Sequence, residues 1–297
     1  MLFWCLKIKV AIVASKEDPA SMNIKNCLLE NSEWEISSLF QGNETYVNSK
    51  NKEIAIITIN DRKIFHEDLD EEIKKEFGTV PELALFVSRH TSKSGKPSLT
   101  THPVGNYGKA EFGGKSRTLV KSSPKVMTQL LRNLNRHASN EKLEHQICFE
   151  VTHHGPYLEI PTVFIEIGSN DQEWVKKQPG NVIASSILDL FNSYSSEVDM
   201  PKDIPVIIGI GGGHYAPRFT DIILEKKVAF GHMIPSYHVD AGNIDGEMLE
   251  KALESTPNVE GVYIHRKGLK KPQVREYANW FEERGITSIS SKELEDL

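Results

Sequence analysis

Cysteine is scarce in this chain. There are three among 297 residues (Cys5, Cys27 and Cys148), far apart and never in a CxxC pair. An odd, scattered set supports neither a disulfide framework nor a cysteine zinc knuckle, and a reducing, cytoplasmic setting is expected. Long apolar runs are missing too: nothing approaches the roughly 18 consecutive apolar residues needed to cross a bilayer. Residues 1–5 are apolar, but no basic residue precedes them and Lys7 and Lys9 interrupt the run. Residues 8–14 therefore read as a buried first strand and not as a signal peptide. There is no GxSxG elbow and no HExxH helix, which weakens serine-hydrolase and zincin readings. The P-loop is absent because Gly95-Lys96 is followed by Pro97, and GxGxxG fails because His214 stands where its last glycine belongs.

What remains is an ordinary globular composition, 39% hydrophobic and 26% charged. Strand-like and helix-like segments alternate. Strand-like runs fall at 8–14, 54–59, 83–87, 147–152, 162–167, 206–210 and 259–264, and helical spacing at 21–29, 66–77, 126–138, 181–191, 244–253 and 274–284. With no repeat and no clear linker, this predicts one α/β domain over residues 1–297, a mainly parallel (mixed) central sheet flanked by helices. Residues 88–121 lack periodicity and predict a long functional loop. The turn at Gly155-Pro156 predicts that strands 147–152 and 162–167 are joined directly.

Five strand-like runs lead into histidines: His90, His153-His154, His214, His232 and His265. In a parallel sheet such positions share the carboxyl edge, where ligand crevices form. Imidazole is suited there to proton transfer or metal ligation. Adjacent His153 and His154 cannot face one pocket from a regular strand, so either the following Gly-Pro makes the backbone irregular or one of them packs elsewhere. Glu166 sits in an apolar run and Glu150 inside a strand, so each needs a histidine, metal or arginine partner, or a structural ion pair. Gly211, Gly212 and Gly213 precede a helix, as in an oxyanion or phosphate cradle, and present His214. The net charge is −6, yet residues 89–125 hold eight basic residues and only one acid, Glu111. That is the footprint of a polyanion site, or else of a solvated loop.

Taken in order, five blocks resemble the archaeal and plant type of D-aminoacyl-tRNA deacylase. They are Ser88-Arg89-His90-Thr91-Ser92-Lys93-Ser94-Gly95-Lys96-Pro97; Thr152-His153-His154-Gly155-Pro156; Phe164-Ile165-Glu166-Ile167-Gly168-Ser169 with Trp174; Gly211-Gly212-Gly213-His214-Tyr215; and Gly231-His232. The specificity lies in the ordered set, which spans residues 83–240; Thr91 departs from the serine expected there. The resemblance implies hydrolysis of the ester joining a D-amino acid to the 3′ end of tRNA, zinc as cofactor, and a phosphorylase/hydrolase-like α/β sandwich. On this reading His153, His154, Glu166 and His214 are the catalytic candidates. Arg89, Lys93, Ser94, Lys96 and Thr101, with Gly211, Gly212 and Gly213, are candidates for holding the tRNA end. The candidate zinc ligands are His90, His102, His153, His154, His214 and His232, and ligation by cysteine is not expected. No protein partner and no membrane are called for, and a monomer is expected. A zinc-dependent peptidase or amidohydrolase shares the histidine edge but leaves the basic segment without a purpose. A nucleoside phosphorylase-like enzyme would use the three glycines for phosphate, and a tRNA-binding protein without catalysis would leave the histidines incidental.

Overall fold

The computed structural model describes residues 7–193 and 200–297, so the apolar start at residues 1–5 lies outside the described residues. The first strand, β1 (Val10–Ser15), is buried throughout, as a strand covered on both faces must be. Asp18 caps α1 (Pro19–Asn31) by accepting the Ser21 amide at 2.9 Å, with Pro19 at the helix start, where no amide donor is needed. A hairpin follows, β2 (Trp34–Phe40) and β3 (Asn43–Asn48), turning through Gln41 and Gly42, both at positive φ. Sequence reasoning passes over it because β2 is largely exposed and does not alternate cleanly. Next come β4 (Ile54–Ile59), α2 (Leu69–Phe77) and β5 (Leu83–Arg89).

Residues 88–121 are not the structureless loop expected. They contain β6 (Ser98–Pro103), β7 (Gly105–Asn106) and β8 (Thr118–Leu119), and β6 is buried along its whole length. After α3 (Pro124–Asn140) come β9 (Gln146–Phe149), β10 (Thr162–Gly168), α4 (Asp171–Trp174) and α5 (Lys177–Ser193). The strands expected to be joined directly through Gly155-Pro156 are not neighbours in the sheet. Instead β6 stands between β9 and β10 in an eight-stranded sheet of order β2-β3-β4-β1-β5-β10-β6-β9. The middle strands β4, β1, β5 and β10 are parallel; β6 runs against β10, and β9 follows β6.

The remaining strands build a second sheet, which the single-sheet expectation did not separate. Its elements are β11 (Val206–Ile210), α6 (Pro217–Glu225), β12 (Ala229–Ile234), α7 (Ser236–Asp240), α8 (Gly246–Glu254), β13 (Val259–Ile264), α9 (Lys271–Glu282) and β14 (Thr287–Ser288). The order is β12-β11-β13-β14, all parallel. One apolar core joins the sheets. Alternate residues Ile12, Leu85, Val87 and Ile165 of the large sheet, and Ile207, Phe230 and Met233 of the small one, belong to the same buried cluster. Helix α3 packs on both β6 and β12, burying Met127, Leu130, Leu131 and Leu134, each worth roughly 1.5–3 kcal/mol when fully removed from water. The opposite face of the large sheet, with Phe86 and Phe164, is covered by α2 and by the chain around residues 104 and 158–160. On this second face the histidines gather.

Candidate active site

Phe86 of β5 stacks on Phe164 of β10 with centroids 4.8 Å apart, and His102 of β6 stacks on Phe164 at 5.2 Å. One step along β10 is Glu166, registered with Ser88 and Thr100; just past β5 is His90. After β9 the chain leaves the large sheet and runs between the two sheets. Glu150 donates its amide to the Thr101 carbonyl (3.1 Å), Val151 to His214 (2.9 Å) and Thr152 to Met233 (3.0 Å). His153 then bridges to Val104, and His154 turns into the left-handed region at φ 44°. That break in regular backbone lets two adjacent histidines face one centre, their rings 4.4 Å apart. The shared carboxyl edge is therefore only part of the explanation: β9 runs against β10, and His214 arrives from the second sheet.

Five imidazoles form a continuous chain. Centroid separations are 4.9 Å for His154–His102, 4.2 Å for His102–His153, 4.6 Å for His153–His214 and 5.6 Å for His214–His90. Two buried carboxylates lie among them. Glu150 approaches His90 at 3.1 Å and His214 at 2.8 Å, while Glu166 lies 3.4 Å from His90 and 3.8 Å from His102. Burial opposes charge on His90 and His102, yet the carboxylates outweigh it and hold both well above the usual imidazole range. The same pairing overcomes burial to keep Glu150 and Glu166 well below the usual carboxylate range. His153 and His154 go the other way: burial and the neighbouring His102 push them down, His154 to about 4.

Three of these rings are fixed by main-chain carbonyls. The Nδ1–H of His102 donates to Pro103 (3.1 Å), that of His153 to Val151 (2.7 Å) and that of His154 to Gly155 (2.6 Å). Each therefore turns its Nε2 inward: His153 and His154 present a lone pair there, and His102 does so once it gives up the proton that Glu166 holds on it, as the carbonyls behind metal-binding histidines enforce. His102, His153 and His154 offer ligand atoms within 4.8 Å of one another, as do the sets His90, Glu150, His214 and His102, Glu150, Glu166. The fit is tested by what protein alone leaves unsatisfied. Both Glu150 oxygens and His102 Nε2 are buried without a hydrogen bond of acceptable geometry, although histidine nitrogens lie close to Glu150. A divalent cation would satisfy the Glu150 oxygens and, in place of its proton, His102 Nε2.

The cleft above this cluster has a volume of about 320 Å³. Its walls include residues that sequence reasoning missed. Asp18, besides capping α1, accepts the Arg89 amide at 3.0 Å and pairs with buried Lys63. Lys63 and Arg62 follow β4, where a short polar run carried no signal beyond charge. Tyr215 places its hydroxyl 3.0 Å from His90 Nε2. The Trp174 indole N–H donates to the His90 carbonyl at 2.9 Å, and the Arg89 guanidinium lies 5.1 Å over the same ring.

Several candidates sit elsewhere. His232 belongs to β12 and is fully buried, held by Thr152 (3.1 Å) and the Val120 carbonyl (2.9 Å); it is a structural histidine and not part of the cluster. Thr101 shares the helix-covered face of β6 with Leu99, is buried, and cannot meet a polyanion. Gly211 donates its amide to Ile234 (2.8 Å) and Gly212 to Ser236 Oγ (2.7 Å), so neither serves as an oxyanion donor; Gly213 is exposed. The basic segment also divides. Arg89 lines the cleft, and Lys93, Ser94 and Lys96 are exposed on the loop leading from β5 to β6. Arg117, however, is bound to Asp245 and Glu247. The Lys121 carbonyl holds Thr162 at the start of β10, and Lys125 lines a recess with Val10 and Leu83, at the opposite edge of the sheet.

Fold and site together define an α/β enzyme with a buried histidine–carboxylate centre. The chain belongs to the D-aminoacyl-tRNA deacylase family, whose model matches residues 77–289. It is 40% identical over 282 residues to the D-aminoacyl-tRNA deacylase of Thermococcus onnurineus, covering 94% of this chain and 98% of that one. Identity to the D-aminoacyl-tRNA deacylase of Pyrococcus furiosus is 41% over 260 residues, 86% and 90% of the two chains. Among solved structures, the crystal structure of a conserved protein of unknown function superposes with a TM-score of 0.85 at 32% identity, covering 97% of this chain and 96% of that one.

Proposed function

We propose that this chain hydrolyses the ester between a D-amino acid and the 3′ end of tRNA, releasing both, as a cytoplasmic quality-control step of translation, and that the His–Glu cluster holds zinc for the reaction. The observation that carries this reading is the pair of buried carboxylates ringed by five histidines at the floor of a cleft whose wall presents Arg62 and Arg89. His102, His153, His154, His90, His214, Glu150 and Glu166 are the donors available to zinc. Zinc bound there would supply the positive charge that polarises an ester carbonyl and eases loss of a proton from water.

The chain's own groups do the rest. Glu150 and Glu166 stay ionised and fix His90 and His102, while the Pro103, Val151 and Gly155 carbonyls keep the other ring faces in one orientation. His214, half-exposed at the cleft, holds Glu150 from the open side and is placed to pass a proton between site and substrate. Arg89, with Lys93 and Lys96 beyond it, offers positive charge where the terminal phosphates would lie. A half-open cleft of this kind suits a chain end bearing one amino acid. Purified protein assayed on D- and L-aminoacyl-tRNA tests the reading: hydrolysis of the D-ester with the L-ester spared is expected, and equal loss of both would overturn it.

A further inference from the structure

Gly211 and Gly212 find no use in the histidine cluster, yet both pack against His265, which lines a second cavity. The small sheet has the order β12-β11-β13-β14, so the chain goes to one side of β11 for β12 and crosses to the other for β13. The carboxyl ends of β11 and β13 thus flank a topological switch point, where parallel sheets leave a ligand crevice. A cavity of about 800 Å³ lies at this edge, lined by Arg218, His265, Arg266, Lys267, Ser291 and Lys292 among others. Gly211 and Gly212 (both φ 101°) let the β11 loop pass tightly here: a Cβ on Gly211 would lie 3.0 Å from the His265 carbonyl, and one on Gly268 would lie 2.6 Å from the Gly212 amide.

The crevice is cationic, and among the described residues none of its cations forms an ion pair with a carboxylate. Arg218 hydrogen-bonds to neutral groups, the Tyr263 hydroxyl at 3.0 Å and Ser291 at 2.8 Å, with Asp221 and Glu225 acting on it only from beyond ion-pairing distance. Among the described residues no carboxylate lies within ion-pairing distance of Arg218, Arg266, Lys267 or Lys292, whereas the neighbouring Lys270 is paired with Asp240. The one acid lining the cavity, Glu293, accepts the Ser290 amide at 2.6 Å. His265 Nδ1 is buried with no hydrogen-bond partner. Ser288, Ser290 and Ser291 add hydroxyls to the wall. Unpaired guanidinium and ammonium groups beside hydroxyls and an unsatisfied imidazole form a receptor for phosphate oxygens. The crevice shares the 211–215 loop with the cluster: Gly211 and Gly212 face one, His214 the other.

We infer that this crevice binds the phosphodiester backbone of the tRNA substrate, upstream of the 3′ end that enters the histidine cleft. The inference rests on the proposed function for the identity of the nucleic acid, but its test does not require hydrolysis. The probe is uncharged tRNA, titrated against the full chain at several salt concentrations. Each phosphate contact contributes about 0.9 to the slope of log affinity against log salt. The triple variant R266Q/K267Q/K292Q changes exposed side chains, and its thermal melting is compared with that of the parent to confirm folding. It is expected to bind tRNA at least about tenfold more weakly, with a slope smaller by roughly 2–3. A control of equal charge change, K50Q/K52Q/K74Q, should bind as the parent does. A crevice variant with the parent's affinity and slope, or a control that weakens binding equally, overturns the inference. Loss of tRNA binding in the crevice variant, with a parent that hydrolyses no D-aminoacyl-tRNA, would leave the crevice standing and sink the proposed function.

Discussion

His232 and Glu150 show how burial assigns opposite duties to groups that look alike in a sequence. His232 is fully enclosed, and burial pushes its pKa down to about 4 although the Val120 carbonyl favours its proton. Because the folded value lies below the unfolded one, the unfolded chain binds more protons between pH 4 and 6.5. Stability from this residue is complete above pH 6.5 and is lost as pH falls toward 4, on the order of 3 kcal/mol in all. His232→Gln should cost about 1–3 kcal/mol at neutral pH through imperfect pairing of Thr152 and Val120. It should also flatten the acid fall in stability, and urea melts of parent and variant that stay parallel from pH 7 to 4.5 would refute this role. At the cluster the sign reverses. Glu150 and Glu166 raise His90 and His102, so the metal-free site holds protons at neutral pH that an entering cation must displace. Zinc affinity is expected to go on rising with pH from neutrality upward, because His90 and His102 keep their protons above the usual imidazole range, with up to about two protons released per ion. Calorimetry in buffers of different ionisation enthalpy measures that release, and a value of zero would contradict the charge pattern.

Among elements, legibility followed polarity. β1, β5, β10 and β11 were readable because continuous apolar runs mark strands buried on both faces. β6 was not, since Ser98-Leu99-Thr100-Thr101-His102-Pro103 has the composition of a loop; only its neighbours in space reveal a central strand. For the same reason His102 could be suspected but not placed. The tight backbone beside the cleft lies at Gly113 and Gly155. A Cβ on Gly113 (φ 74°) would stand 1.6 Å from the Ile64 carbonyl, and one on Gly155 2.2 Å from the Gly114 amide, whereas Gly213 has open space around it. Glu67 locks this junction by accepting the amides of Gly114 (2.7 Å) and Tyr157 (2.5 Å). Gly113→Ala should therefore cost about 2–4 kcal/mol, and Gly213→Ala less than about 0.5 kcal/mol. Denaturant midpoints check the order, which equal losses would reverse.

At the scale of the whole molecule, charge count was legible but charge placement was not. A run of eight basic residues reads as one patch in sequence, yet the fold brings Arg89 to the cleft, leaves Lys93 and Lys96 exposed on the loop that follows it, and carries Lys121 and Lys125 to the far edge. Periodicity carries no information about which edge a loop reaches. The double variant K93Q/K96Q should weaken tRNA binding and lower its salt slope by up to about 2, whereas Lys121→Gln should change neither. Equal effects from both would mean that tRNA samples the molecule without a preferred face. The ordered histidine blocks were legible as a family signature, and their convergence depended on His154 leaving regular backbone and on the second sheet delivering His214. Whether that convergence serves zinc-supported ester hydrolysis is decided by one titration. Protein stripped of metal by a chelator is supplied with increasing zinc, and hydrolysis of D-aminoacyl-tRNA is followed beside bound zinc, for the parent and for Glu150→Gln. Activity should return in step with zinc bound to the parent and fail to return in the variant, whose zinc affinity should fall at least about 100-fold. Full D-ester hydrolysis by the metal-free parent, or an unimpaired variant, would contradict a zinc site built on Glu150 and its histidines.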